Sequence, residues 1–310
     1  MNYLKLIRYK NLLLLAFMQL IFRYGFLKLQ NIPLALNDFQ YVLLVLSTVL
    51  IAAAGYVIND IFDQETDYYN RPNTLIIGKS ISEKAAYNLY FILNITGVAI
   101  GFYLSNLILK PSFTGAFIII SATLYMYATS LKQMLLVGNI IVALLLSFSV
   151  LLIGLFDLLP ATYDGNRAEM GIMFSMLIDY AIFAFLINLI REIVKDMEDV
   201  EGDYNQGMNT LAIAIGKVKT SRVVMGLAII ATLILLWYIN TYLMENALYA
   251  AVIYGFLFVV APMIFFTIKI SNAKTKEEFH LLSKVLKWII FFGILSVLVI
   301  TLNIHYNDKG

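Results

Sequence analysis

The 310-residue chain has no cysteine, two histidines, five prolines and few charges. Without cysteine there are no disulfides, no thiolate nucleophile and no cysteine-ligated metal. His280 and His305 lie apart in polar or terminal segments, which argues against a histidine metal site or triad. Charged residues make up 14%, against roughly 25% in a typical soluble domain. A formal charge of +2 is too small to attract nucleic acid. In place of charge stands apolar mass: 61% of the residues are hydrophobic and 14% aromatic. That composition belongs to a polytopic membrane protein.

Nine apolar stretches approach the roughly 20 residues that a helix needs to cross a bilayer. They fall near 11–30, 41–59, 86–105, 113–130, 135–157, 170–191, 222–242, 247–268 and 285–303. The first is read as a retained span, since no small-residue cleavage site follows it. The aromatics serve as interface belts or line a greasy cavity. With the N-terminus placed in the cytoplasm, 17 of the 22 Lys and Arg residues fall in inside segments. Only Lys28, Lys110, Arg167 and Lys309 fall outside, and Arg23 lies within the first span. That bias predicts a cytoplasmic N-terminus and an external C-terminus, in the plasma (inner) membrane.

An acidic pattern occurs twice. Asp60-Ile-Phe-Asp63-Gln-Glu-Thr-Asp67-Tyr68 returns 136 residues later as Asp196-Met-Glu-Asp199-Val-Glu-Gly-Asp203-Tyr204. Over the sixteen columns from Asp60 to Leu75, eight residues are identical. Such a repeat, one copy after span two and one after span six, predicts two four-helix units, near 1–130 and 135–268, plus a ninth helix in a single domain. Four spans apart, both copies emerge at the same face. Spacings of three and four place Asp60, Asp63 and Asp67 on one helical stripe, and Asp196, Asp199 and Asp203 on another.

Six carboxylates on neighbouring helices repel one another where the dielectric is low. Hard divalent cations relieve that repulsion, and Mg²⁺ prefers one or two carboxylates, waters and phosphate oxygens. Two facing Asp clusters therefore suggest a Mg²⁺-bridged diphosphate. The alternative is that the acids merely end helices, but carboxylates at a helix C-terminus oppose the macrodipole. The segments 60–85 and 196–221 read as long basic loops, in which Arg71, Lys79, Lys84, Lys217 and Lys219 clamp phosphate or serve topology alone. Arg71, four residues beyond Asp67, is the better phosphate candidate. Lys132, the only charge in the loop after span four, has the same two readings.

Together these residues resemble the UbiA superfamily of intramembrane prenyltransferases, over nearly the whole chain. Asn59-Asp60-x-x-Asp63-x-x-x-Asp67 is similar to that family's first motif, and Asp199-x-x-x-Asp203, with Asp196 ahead, to its second. Arg71-Pro72 fits the step common after the first motif. Lys132, with Gly138-Asn139 downstream, resembles the tyrosine–lysine segment after helix four, although Tyr127 stands five residues ahead of the lysine instead of four. The resemblance implies an all-α, nine-helix bundle with the prenyl tail in the bundle and the diphosphate between the Asp clusters. It implies Mg²⁺ on Asp60, Asp63, Asp67, Asp196, Asp199 and Asp203. Asn59, Arg71, Tyr127, Lys132 and Lys195 become the diphosphate-binding residues, with Asp63, Asp199 and Lys132 catalytic.

The segment Arg191 to Asp203 most resembles the ether-lipid branch of the family, as does Asn70-Arg71-Pro72. That branch transfers geranylgeranyl from its diphosphate to geranylgeranylglyceryl phosphate. The alternative acceptors are aromatic: dihydroxynaphthoate or hydroxybenzoate. A secondary transporter is a third reading of the repeat, but a transporter concentrates ionisable groups at the midplane. Here only Arg23 and Asp179 look mid-span. They lie at similar depth and either pair with one another or stand apart, Arg23 snorkelling outward and Asp179 protonated.

Overall fold

A computed structural model describes residues 2–64 and 75–307. Among these residues nine helices are long and apolar enough to cross a membrane. They are α1 (Tyr9–Gln30), α2 (Asp38–Phe62), α3 (Glu83–Leu107), α4 (Pro111–Thr129), α5 (Val137–Ala161), α6 (Arg167–Asn205), α7 (Lys217–Met244), α8 (Tyr249–Ile270) and α9 (Lys276–Asn307). Each of the nine predicted stretches falls on one of them. The chain is an integral membrane protein.

Helix starts are written in the sequence. Asn37 accepts from the Gln40 amide N–H while the Gln40 side chain accepts from the Asn37 N–H, a reciprocal capping box at α2. Ser82 caps α3 in the same way on one side. At α9, Glu278 accepts from the Lys274 and Thr275 amides and Thr275 Oγ1 accepts from the Glu278 amide.

Packing in lipid depends on close approach and on interhelical hydrogen bonds. α2 and α3 show both. The Ser47 hydroxyl donates to the Gly97 carbonyl at 2.7 Å. A Cβ on Gly97 would stand 2.7 Å from Ile51 Cγ1 and 3.2 Å from the Ser47 carbonyl oxygen. Gly97→Val is therefore expected to cost about 1–3 kcal/mol by overpacking. A melting temperature unchanged in detergent would contradict that contact.

Among the described residues three short π-helical stretches interrupt the helices, at Gly154–Leu158, Ile239–Met244 and Phe256–Val260. Such bulges redirect side chains. The first carries Asp157, whose carboxylate is ion-paired with Arg23 in the core. Arg23 is 1% exposed and Asp157 fully buried. Arg23 also donates to the Leu36 carbonyl at 2.5 Å and lies 4.4 Å from the centroid of the Tyr41 ring. The Leu36 amide donates to Asp157 at 3.1 Å. The arginine thus finds its partner on α5, not α6. Neither reading of Arg23 holds: it does not snorkel outward, and no pair with Asp179 forms, because Asp157, the Leu36 carbonyl and the Tyr41 ring engage the guanidinium, with Asp38 3.6 Å away. Asp179 instead lines a separate cavity with Tyr238 and Trp237.

The segment 196–221 also differs from its reading as a loop. α6 runs unbroken through Asp196, Asp199 and Asp203 to Asn205, and Leu211–Ile215 forms a further short helix. Leu211 and Ala212 are buried against the α6–α9 core, which gives that turn a reason to fold.

Candidate active site

The two acidic motifs meet around one short connection, residues 130–139, between α4 and α5. Lys132, on its single 3-10 turn, is ion-paired with Asp63 at the end of α2. Asn139, in the first turn of α5, donates to Asp196 Oδ2 at 2.8 Å. The segment after α6 is tied in as well, since the Asn209 amide donates to the Gln133 carbonyl at 3.1 Å. Gly138 allows this turn to close. A Cβ there would stand 2.9 Å from Lys132 Cα and 3.3 Å from the Tyr127 ring.

The two copies of the motif differ locally. Asp63 caps α2 at φ −94°, ψ 5°, so the first stripe is interrupted there, whereas the second is continuous helix. The Asn59 amide donates to Asp63 Oδ2 at 2.5 Å, and Lys132 engages Oδ1. Asp60 accepts from Arg8 at 2.9 Å. Asp199 faces Lys276 at the start of α9, 3.7 Å away. Asp203 is buried, and its charge acts on Asp196. Lys195 pairs with Glu192 at 2.7 Å, and Arg191 shares that carboxylate at 3.2 Å. Asp67 and Arg71 lie outside the described residues.

A cavity of about 360 Å³ runs from this polar end into the bundle. Its mouth carries Arg8, Asn59, Tyr127, Glu192 and Lys195; its depth is lined by Phe117, Ile120, Leu124, Leu145 and Leu152. Asp63 and Lys132 border an adjoining polar space of about 460 Å³ shared with Gln133, Gln206 and Met208. Asp199 borders a third, of about 370 Å³, with Lys217, Lys274 and Lys276. Asn59, Tyr127 and Lys195 therefore line one apolar-tailed cavity. Asp63 and Lys132 lie beside it, and Asp199 turns towards α9.

Arg8 and Glu192 are site residues that the motif reading passed over. Arg8 was counted only for topology, yet it holds Asp60 and lies 5.0 Å from the Tyr56 ring centroid. Glu192 stands four residues before Asp196, extending the acidic stripe by one helical turn; that spacing was a usable signal.

Among the described residues no three carboxylates or histidines converge closely enough to hold an ion alone. The donor chemistry nevertheless fits Mg²⁺: hard carboxylate oxygens from two helices, the ligand type that Mg²⁺ takes one or two at a time beside waters and phosphate oxygens. At present Arg8, Lys132 and Lys276 balance those carboxylates.

Curated relatives are similar in sequence. A digeranylgeranylglyceryl phosphate synthase of Korarchaeum cryptofilum is 32% identical over 268 residues, 84% of this chain and 86% of its own length. One from Methanosphaera stadtmanae is 30% identical over 257 residues, 81% of this chain and 84% of its own. The match to the same-named protein of Sulfolobus acidocaldarius is 37% over 190 residues and spans 62% of that protein. A solved structure concerning digeranylgeranylglyceryl phosphate synthase in membranes superposes with a TM-score of 0.65 at 24% identity, covering 97% of both chains. A UbiA homologue from Archaeoglobus fulgidus bound to DMAPP and Mg²⁺ superposes at 0.61 with 17% identity, covering 96% of this chain and 99% of that one. These two likenesses speak for the fold. The profile of the UbiA prenyltransferase family matches residues 27–303, and the chain belongs to that family.

Proposed function

We propose that the chain, as a single domain over residues 1–310, transfers a polyprenyl group from its diphosphate to an acceptor within the membrane. The favoured reaction moves geranylgeranyl to the hydroxyl of geranylgeranylglyceryl phosphate. The observation that carries the reading is a cavity with an apolar depth and a mouth set between two acidic motifs. The names of the relatives support the acceptor. The excess of Lys and Arg at the motif end supports a cytoplasmic active site in the plasma membrane.

Each group then has a task. Phe117, Ile120, Leu124 and Leu152 take the prenyl tail and keep water from an allylic cation. Asp60, Asp63 and Asp67 on one side, with Asp196, Asp199 and Asp203 on the other, would hold Mg²⁺. A metal ion held there would supply charge neutralisation to the diphosphate, which leaves with the electron pair of the broken allylic C–O bond on its oxygen. Lys132 and Lys195 would contact the same diphosphate, and Arg71, outside the described residues, is assigned the same task from its place after the first motif. Lys132 is fixed by Asp63 and carries preorganised positive charge. Asn59 orients Asp63, and Tyr127 walls the mouth. The acceptor oxygen attacks the carbocation, and the departing diphosphate is a base able to take the hydroxyl proton.

Activity is expected to require a divalent cation and to vanish with EDTA, since carboxylates repel an unaccompanied diphosphate. Sustained turnover in metal-free buffer would rule out the bridged-diphosphate reading. The acceptor is tested by offering geranylgeranylglyceryl phosphate and dihydroxynaphthoate in parallel. Prenylation of the aromatic acid alone would overturn the lipid acceptor and leave prenyl transfer standing.

A further inference from the structure

A second chamber of about 150 Å³ adjoins the main cavity between α1, α6 and α9. The two share Asn11, Leu15, Ala52, Tyr56 and Arg191 as a common wall. The polar end of the second chamber is cationic. Lys287 of α9 donates to Asn11 Oδ1 at 2.8 Å, and Asn11 in turn reaches the Tyr56 hydroxyl at 3.4 Å. Among the described residues Lys287 has no carboxylate partner. The charges acting on it are those of Arg191 and Lys10, also cations. Arg191 shares Glu192 with Lys195, so two cations divide one carboxylate. Its Nε is buried and has no hydrogen-bond partner.

A buried guanidinium N–H without an acceptor is costly, and native proteins satisfy nearly all such groups. The acceptor that fits is an anion. Guanidinium and ammonium groups lining one cavity suit a phosphate. Beyond this cationic end the chamber turns apolar, with Met18 and Phe22 on α1 and Ile290 and Ile294 on α9. From Lys287 to Ile294 that wall rises seven residues, about 10 Å of helix. An anionic head followed by the first part of a hydrocarbon chain matches it.

We infer that Lys287 and Arg191 form the binding site for the acceptor's phosphate, seating a lipid phosphate in the second chamber with its hydroxyl turned towards the wall shared with the prenyl diphosphate. The inference rests on the lipid-phosphate acceptor proposed above. It separates the two substrates by charge: acids and metal for the donor, the cationic end of a second chamber for the acceptor. Lys287 then sets selectivity among acceptors and has no part in ionising the donor.

The test is binding, read without turnover. Geranylgeranylglyceryl phosphate is titrated into the full-length chain in detergent, without donor or metal, and its Kd taken from thermal shifts. Geranylgeranylglycerol, which lacks the phosphate, and dihydroxynaphthoate, which carries a carboxylate, are titrated alongside. Wild type is expected to prefer the phosphorylated lipid to the alcohol by at least tenfold. Lys287→Gln is expected to erase that preference, Lys287→Arg to retain it, and Mg²⁺–geranylgeranyl diphosphate to bind all three within twofold. Equal affinity of wild type and Lys287→Gln for the phosphorylated lipid would overturn the site. So would a parallel loss of donor binding in Lys287→Gln, which marks a structural defect or a donor site. Tighter binding of dihydroxynaphthoate, lost in Lys287→Gln, would keep an anion site and overturn the lipid occupant. Failure of the proposed reaction looks different: the lipid phosphate binds through Lys287 and no ether product forms.

Discussion

Asp63→Ala and Asp199→Ala are each expected to lower prenyl transfer by at least about a thousand-fold, with melting temperatures within a few degrees of wild type. The size follows from the chemistry. Removing one preorganised group that stabilises developing charge costs about a hundred- to a thousand-fold, and a metal ligand takes its ion's contribution with it. The retained fold follows from position. Asp63 sits at the cap of α2, outside the apolar core, and Lys132, its partner, although only 8% exposed, borders a polar space that can hydrate its ammonium group. The contact of Asp199 with Lys276 at the start of α9 is long, 3.7 Å, and the lysine is half exposed, the kind of pair that contributes little to stability. Both carboxylates are thus placed to exchange a side-chain cation for a metal ion. Single-turnover product formation with labelled geranylgeranyl diphosphate reads the effect, and near-wild-type rates in both variants would sink the mechanism.

Arg23→Ala is expected to destabilise the protein by about 3–5 kcal/mol, and Asp157→Ala by a similar amount, because each strands a buried charge. Each change also breaks one of the two ties to Leu36 that hold the α1–α2 connection against α5. The double variant should cost less than the sum, as expected of groups in direct contact. Arg23→Ala and Asp179→Ala should add, since those side chains occupy different parts of the bundle. Unfolding midpoints in a denaturing detergent supply all of these values. Additivity for Arg23 with Asp157, or coupling for Arg23 with Asp179, would contradict the observed clasp.

These two expectations differ in how far the sequence revealed them. The helices were legible because lipid leaves a long, continuous signal: a spanning helix must satisfy its own backbone and show an apolar surface. The acidic motifs were legible because their spacing repeats. The partner of Arg23 was not. Asp157 falls at the edge of an apolar run, where a charge reads as a boundary, and the π-helical turn that swings it inward has no mark in composition. Lys132 could be singled out from its lone position in a short turn, but its contact with Asp63 needs the fold. Arg8 and Lys287 were absorbed into the positive-inside count, since a lysine that lines a chamber and one that fixes topology look alike in one dimension. The segment after Asp203 read as loop for want of an apolar run long enough to signal a helix. Burial of Leu211 and Ala212 against neighbouring helices, a tertiary effect, makes it helical.

The most direct measurement is a mass balance on the wild-type chain reconstituted in vesicles. Labelled geranylgeranyl diphosphate and geranylgeranylglyceryl phosphate are supplied with Mg²⁺, and both products are counted. One diphosphate released for each digeranylgeranylglyceryl phosphate formed, with neither in the presence of EDTA, is the expected result. Label that stays as intact diphosphate, whether left outside or carried unchanged into the vesicle lumen, would contradict prenyl transfer as the function of this chain.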